Sequence, residues 1–289
     1  MIRYKNKQGA VFGLLHALLY NLVLVPTRRE TTPVYEARVQ KIDLSFRQRL
    51  SWCAHLFKAC VKQHHRELLP ALSGLIDRDS VVLDVGSHAG QFTKLFAKIA
   101  HRGQVFSIEP GSYALSILRP AISFNRLTNV TILAVGVGEE SDRLTLSTPI
   151  KESGSVGFGL SHFGEVNDGR RRVEQSVELT TIDRIVEQYQ IERLDFIKAD
   201  IEGWELRMLH GALATLNRFK PSLMLEVVDR FLARADDTAK ELFDYLGQLG
   251  YKPYVLAGNL NRFEPVGASK EGNIFFMSPI HFQTVQPSS

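Results

Sequence analysis

The residues in this chain whose types and spacing suit chemistry are carboxylates at the ends of apolar runs. Asp84 follows Val81-Val82-Leu83, and Glu109 follows Val105-Phe106-Ser107-Ile108. Asp200 and Glu202 follow Phe196-Ile197-Lys198-Ala199, and Glu226 stands in Leu223-Met224-Leu225-Glu226-Val227-Val228. A carboxylate at such a place can take a proton from a hydroxyl, accept both hydroxyls of a ribose, or face a cationic group. In extended chain, residues i and i+2 share a face, so Asp200 and Glu202 can converge, with Glu226 as a third member. Three carboxylates can also hold a divalent cation. No histidine stands clearly beside them, so the reading adopted here has no metal. A helix-initiating role competes for Glu202, since an acid is favourable in a first helical turn.

The stretch Val82-Leu83-Asp84-Val85-Gly86-Ser87-His88-Ala89-Gly90 decides which group these acids serve. A buried strand ends at Gly86, and after Gly90 the residues Phe92, Leu95, Phe96 and Ile99 recur at helical spacing. This is a strand, a glycine turn and a helix, with bare backbone and unpaired N–H groups facing a ligand. A dinucleotide site reads G-x-G-x-x-G with an acid about 20 residues on. Here the spacing is G-x-x-x-G with Asp84 two residues ahead. A carboxylate there repels a pyrophosphate and suits the ammonium of S-adenosylmethionine. An ordinary turn with a structural Asp is the competing reading.

These acids need a sheet to bring them together. Apolar runs alternate with amphipathic stretches along the chain, which is the pattern of an open α/β fold. Glu109 lies one helix beyond Asp84, and strands are read at 130–137, 194–199, 223–228, 254–256 and 273–277. Leu206, Leu209, Leu213 and Leu216 are read as one helix face. Leu144, Leu146, Val173, Val177 and Leu179 suggest further extended segments. Between them, 148–168 has no period and is read as a lid or substrate loop. Arg170-Arg171-Arg172 beside it is either a solvated run or a contact for an acidic substrate.

Residues 1–78 are read as an α-helical N-terminal extension, 79–282 as the main domain and 283–289 as a polar tail. Within the extension, the apolar run 10–25 follows Arg3, Lys5 and Lys7. It is shorter than the ~20 residues of a bilayer span and reads as a helix packed on the protein, on a second subunit, or peripherally on a membrane. A second helix begins at Asp43, with Phe46, Leu50, Cys53, Phe57 and Cys60 as its buried face. The two cysteines lie seven residues apart on that helix, about 10 Å along its axis, too far to bridge. Buried thiols and a cytoplasmic setting follow. The formal charge of +4 is spread, which does not suggest nucleic acid.

The strand-end acids Asp84, Glu109, Asp200 and Glu226 together resemble those of class I S-adenosylmethionine-dependent methyltransferases, and the match is closer to the FkbM-type family. It rests on the glycine turn through Phe92, on Ile108-Glu109-Pro110 and Asn125, and above all on Thr180-Thr181-Ile182-Asp183 leading to Phe196-Ile197-Lys198-Ala199-Asp200-Ile201-Glu202-Gly203-Trp204-Glu205. The resemblance covers about 80–280 and excludes the extension. It implies a Rossmann-like sheet of five parallel strands plus an antiparallel pair, with helices on both faces and S-adenosyl-L-methionine across the strand ends. Asp84, Gly86, Ser87 and Gly90 would face the methionine part, with His88 and Phe92 of the same motif in the binding set. Glu109 would hold the ribose, with Pro110 beside it in the binding set, Gly136 would lie near the adenine, and Asp200 would face the sulfonium end.

The family often carries Ala-Asn where Ser87-His88 stands, which leaves the role of His88 open. Family members methylate hydroxyls of sugars and other small molecules, so O-methylation is the expected activity, with Asp200, Glu202 and Glu226 as the catalytic candidates. The rival readings are a nicotinamide-dependent oxidoreductase on a similar sheet and a non-catalytic scaffold that binds the cofactor.

Overall fold

The computed structural model describes residues 44–150, 156–157, 161–163, 169, 171–258 and 262–278. The apolar run 10–25, most of the 148–168 loop and the tail from 283 lie outside the described residues. The strands are β1 (Val81–Val85), β2 (Gln104–Ile108), β3 (Val130–Leu133), β4 (Gly136–Val137), β5 (Arg143–Pro149), β6 (His162–Phe163), β7 (Arg172–Thr180), β8 (Phe196–Ala199), β9 (Ser222–Val227), β10 (Lys252–Leu256), β11 (Phe263–Pro265) and β12 (Gly272–Met277).

Eight strands form the main sheet in the order β11-β10-β12-β9-β8-β1-β2-β3. The five from β3 to β9 are parallel, as expected, and β12 and β10 continue the sheet antiparallel. The antiparallel end is larger than the expected pair, because Phe263–Pro265 within the last loop adds β11 as an edge strand. The chain runs outward from β1 to β3 and returns to pair β8 on the other side of β1. The strand order therefore switches between β1 and β8, where open α/β sheets bind ligands. β1 and β8 are buried along nearly their whole length, as parallel strands covered by helices on both faces must be.

Three sequence readings change. The run 130–137 is two strands, since β4 leaves the main sheet to pair with β7 in a second sheet of order β4-β7-β5-β6. That sheet also absorbs β6, from the loop read as lacking structure. The helix read from Leu206 to Leu216 is two helices, Glu205–His210 and Leu213–Phe219, and Leu213 is exposed. The break falls at Gly211, where a Cβ would stand 2.0 Å from the Gly138 carbonyl oxygen.

The third change concerns the helix Phe46–Val61, which starts on a capping box between Ser45 and Gln48. The expected inner face is not the docked one. Trp52, Leu56 and Ala59 are buried, Phe46, Leu50 and Phe57 are exposed, and Cys53 and Cys60 are half-buried. Burial pushes both thiols above their ordinary pKa. Polar anchors select this face: Trp52 Nε1 donates to Ser116 Oγ at 2.8 Å, and His55 Nδ1 meets the Tyr113 hydroxyl at 3.1 Å. Lys94, itself fully buried, reaches across to donate to the carbonyls of Ala59 and Lys62 and so caps the helix C-terminus.

Candidate active site

At the end of β1 the backbone turns at Gly86, with φ +70, and its N–H and that of Ser87 both donate to the Ile108 carbonyl. Only glycine fits, because a Cβ would lie 2.0 Å from the Asp200 carbonyl oxygen. The turn ends at Gly90, φ +77, which opens the helix Gln91–Ile99. This close passage of the 86 and 200 backbones puts the glycine turn and the end of β8 in one crevice.

Lys198 is the hub of that crevice, and the sequence reading passed over it. It sits mid-strand in an apolar run, nearly fully buried, and donates to the carbonyls of Val85 and Gly86 at 3.3 and 3.1 Å. Its Nζ is 3.7 Å from Asp84 and 3.5 Å from Asp200. Burial works against its charge, but Asp200 and Asp84 outweigh burial and hold its pKa above the usual lysine value. A lysine at a core position of a strand is the signal that identifies it, since such a group is retained only when paired.

The carboxylates then divide by environment. Asp84 is wholly buried, receives the Thr93 hydroxyl at 2.5 Å, and has one oxygen without a hydrogen bond among the described residues. Burial raises its pKa, with Lys198 and Thr93 pulling the other way. Asp200 is the part-exposed member; burial would raise its pKa, but Lys198 and then His88 hold it low, so it is ionised. Oxygens of Asp200, Glu202 and Glu226 all lie within 4.8 Å of one another, close enough to share a cation or a proton. Glu202 is buried against Arg234 at 3.2 Å. Burial, and then the charges of Asp200, Glu202 and Glu205, push Glu226 up to about 8. Near neutral pH it carries a proton and is hydrogen-bonded to Asp200.

Glu205, also missed as a functional residue, clamps this bend. It is buried and accepts the N–H groups of Ile201 and Gly203 at 2.8 and 3.0 Å. The clamp holds two left-handed residues, Glu202 at φ 57 and Gly203 at φ 105. Gly203 is obligatory, since a Cβ would meet the Phe231 carbonyl oxygen at 2.0 Å.

A cavity of about 430 Å³ opens over the turn, lined by Gly86, Ser87, His88, Phe92 and Asp200 with Lys198 behind them. Its opposite wall comes from the extension: His55, Lys58, Ala59, His64 and His65. His65 stacks on Phe92 with ring centroids 4.3 Å apart. Asp84, Gly90, Glu109, Pro110, Gly136, Glu202 and Glu226 do not line this cavity. Glu109 is buried beneath the turn, its two oxygens accepting the N–H groups of His88 and Gly111 at 2.9 and 2.8 Å. Gly136 stands in β4, packed against Leu179 and Phe163.

A family model, the methyltransferase FkbM domain, matches residues 84–253, which include every strand-end acid described above. The chain belongs to the FkbM methyltransferase family. Two curated proteins are similar to it: the antimetabolite synthetase AmbE of Pseudomonas aeruginosa, 27% identical over 60% of this chain, and the 2-O-methyltransferase NoeI of Sinorhizobium fredii, 25% identical over 53%. The chain spans 10% and 65% of their lengths. Among solved structures, an FkbM methyltransferase from Methylobacillus flagellatus aligns over 79% of this chain and 59% of its own, at 15% identity and a TM-score of 0.45. An O-methyltransferase from Thermotoga maritima aligns over 78% and 71%, at 13% and 0.40.

The cofactor of this FkbM-family chain is S-adenosyl-L-methionine, and the residues present fit it. Gly86 and Gly90 leave bare backbone at the turn. The Glu109 carboxylate, with about four lone-pair sites, spends two on His88 and Gly111 and keeps two that the expected ribose contact would use. Glu109→Ala is therefore expected to weaken cofactor binding by about 1.5–3 kcal/mol for each charged hydrogen bond lost. Calorimetry with S-adenosylhomocysteine on folded variant checks it; unchanged affinity would place the ribose elsewhere.

Glu226 and Glu205 also fix a pH dependence. Burial sets Glu205 near 7, and Glu226 lies near 8. Both pKa values stand above the unfolded value of about 4.3, so the folded state binds more protons between that pH and 8. Stability should therefore fall as pH rises through this window. Glu226→Gln mimics the protonated side chain, and it should flatten the upper part of the fall. Thermal midpoints at a series of pH values would show whether the two profiles diverge toward pH 8.

Proposed function

We propose that this protein transfers a methyl group from S-adenosyl-L-methionine to a hydroxyl of a small molecule or sugar. The cofactor, when bound, supplies an activated methyl group, and the protein's task is alignment and proton removal. The observation that carries the reading is Asp200 at the cavity wall, held ionised by Lys198, with a carboxylate oxygen within 4.8 Å of one on Glu226. Asp200 orients the acceptor hydroxyl and takes its proton. Glu226 stabilises the ionised Asp200 beforehand, and Lys198 keeps it from being protonated in the resting protein.

His88 and Phe92, with His55, His64 and His65 across the cavity, form the wall against which an acceptor lies. An imidazole-rich wall of mixed donors and acceptors suits a polyhydroxylated molecule, and NoeI is by name a 2-O-methyltransferase. Asp200, Glu202 and Glu226 have the donor chemistry for a divalent cation, and two of the three already pair with Lys198 and Arg234. The experiment is incubation of metabolite extracts with protein and deuterated-methyl cofactor, followed by mass spectrometry. Labelled methyl ethers are the expected product; label only on nitrogen or carbon would overturn the hydroxyl assignment.

A further inference from the structure

We infer that the outward face of the helix Phe46–Val61 is a docking surface for anionic lipid bilayers. At 100° per residue, Phe46, Leu50, Phe57 and Val61 fall within an arc of about 60°. They are 69, 44, 68 and 55% exposed, and make up half of the eight large apolar side chains exposed among the described residues. Phe124, 65% exposed, ends the neighbouring helix beside them, where Asn125 Nδ2 donates to the Cys60 carbonyl at 3.1 Å. The helix is thus apolar on two sides, and Trp52, Leu56 and Ala59 already bury the other one. A clustered apolar patch of this kind on a folded surface marks an interaction site.

Charge selects the occupant. From Leu44 to Arg66 there is no Asp or Glu, while Arg47, Arg49, Lys58, Lys62 and Arg66 are all exposed. A second copy of the chain would set five cations against five. The chain's own apolar run 10–25 is no better matched: residues 1–29 hold Arg3, Lys5, Lys7, Arg28 and Arg29 and no acid. An anionic headgroup layer satisfies both the cations and the apolar stripe, which is how interfacial helices bind. Among the described residues no helix is long and apolar enough to cross a membrane. The same helix gives His55, Lys58 and Ala59 to the cavity, so the lipid-facing stripe and one wall of the cavity share a single helix.

The test is co-sedimentation of the full chain with vesicles of phosphatidylcholine plus phosphatidylglycerol, and of phosphatidylcholine alone. Binding is expected to the anionic vesicles, with release by added salt. The double variant Phe46→Ser/Phe57→Ser should lower that partitioning at least roughly tenfold, as loss of two inserted rings requires, with an unchanged thermal midpoint and mass in light scattering. Three results would each overturn the inference. Parental partitioning of the variant would remove this face from lipid contact. A parental dimer that the variant dissociates would make a second copy the occupant. A thermal midpoint several degrees lower would mean that the chain's own residues cover the stripe.

Discussion

Lys198→Met is expected to be the most damaging single substitution at this site. The change keeps length and apolar bulk but removes the cation that stands between Asp84 and Asp200, at 3.7 and 3.5 Å. Breaking a buried ion pair by deleting one partner costs about 3–5 kcal/mol, because the remaining charge is left uncompensated. Asp84 has the worse position, being wholly buried with one oxygen that already lacks a hydrogen bond among the described residues. At about 2–4 °C per kcal/mol for a domain of this size, the midpoint should drop by roughly 10 °C. A thermal melt within a degree of the parent would refute the hub role.

Adding Asp84→Asn to Lys198→Met should recover part of the loss, since it removes the stranded charge, but it should not restore turnover. The sign with pH follows from the partner. The pKa of Asp200 is depressed by Lys198, so their pairing contributes fully above the unfolded value of about 3.9 and is lost on further acidification.

The strand-end acids were legible in the sequence because parallel strands buried on both faces read as apolar runs, and a carboxylate interrupts such a run visibly. Their spacing therefore located β1, β2, β8 and β9 and the crevice beyond them. What each acid touches was not legible. Asp84 reads as a ligand for a cation and is sealed beneath the turn against Thr93 and Lys198, because i to i+2 alternation does not say which side of a doubly covered strand faces the ligand.

Lys198 escaped attention for the converse reason. Within Phe196-Ile197-Lys198-Ala199 a lone lysine looks like a surface position, and only the register of β8 against β1, which pairs it with Asp84, shows that it is buried. The helix Phe46–Val61 carries two apolar stripes, and periodicity ranks stripes without telling which one docks. The anchors that decide it, Ser116, Tyr113 and Lys94, lie on other helices. β6 and β11 are too short to show a period of two.

Asp200→Asn is the substitution that separates catalysis from folding. Asp200 sits one residue past β8, its backbone against the bare Gly86 and its carboxylate at the edge of the cavity. The asparagine keeps the shape and can still accept a hydrogen bond from Glu226, but it cannot take a proton. If Asp200 is the base for the acceptor hydroxyl, turnover should fall by roughly 10²–10⁴, the usual contribution of a positioned base. Cofactor affinity should hold, because the glycine turn and Glu109, which follow β1 and β2, are left unchanged. Stability should change less than in Lys198→Met, since Asp200 is 27% exposed on its side chain and water replaces part of the lost pairing.

Glu202→Gln should cost less turnover, because its carboxylate is turned to Arg234 and does not line the cavity. Glu226→Gln isolates the role of the proton that Glu226 gives to Asp200: the amide still donates, so turnover near neutral pH should survive, while the decline expected above pH 8, as Glu226 ionises beside Asp200, should disappear. Full turnover in Asp200→Asn would instead move the base to His88, the imidazole among the turn residues that line the cavity.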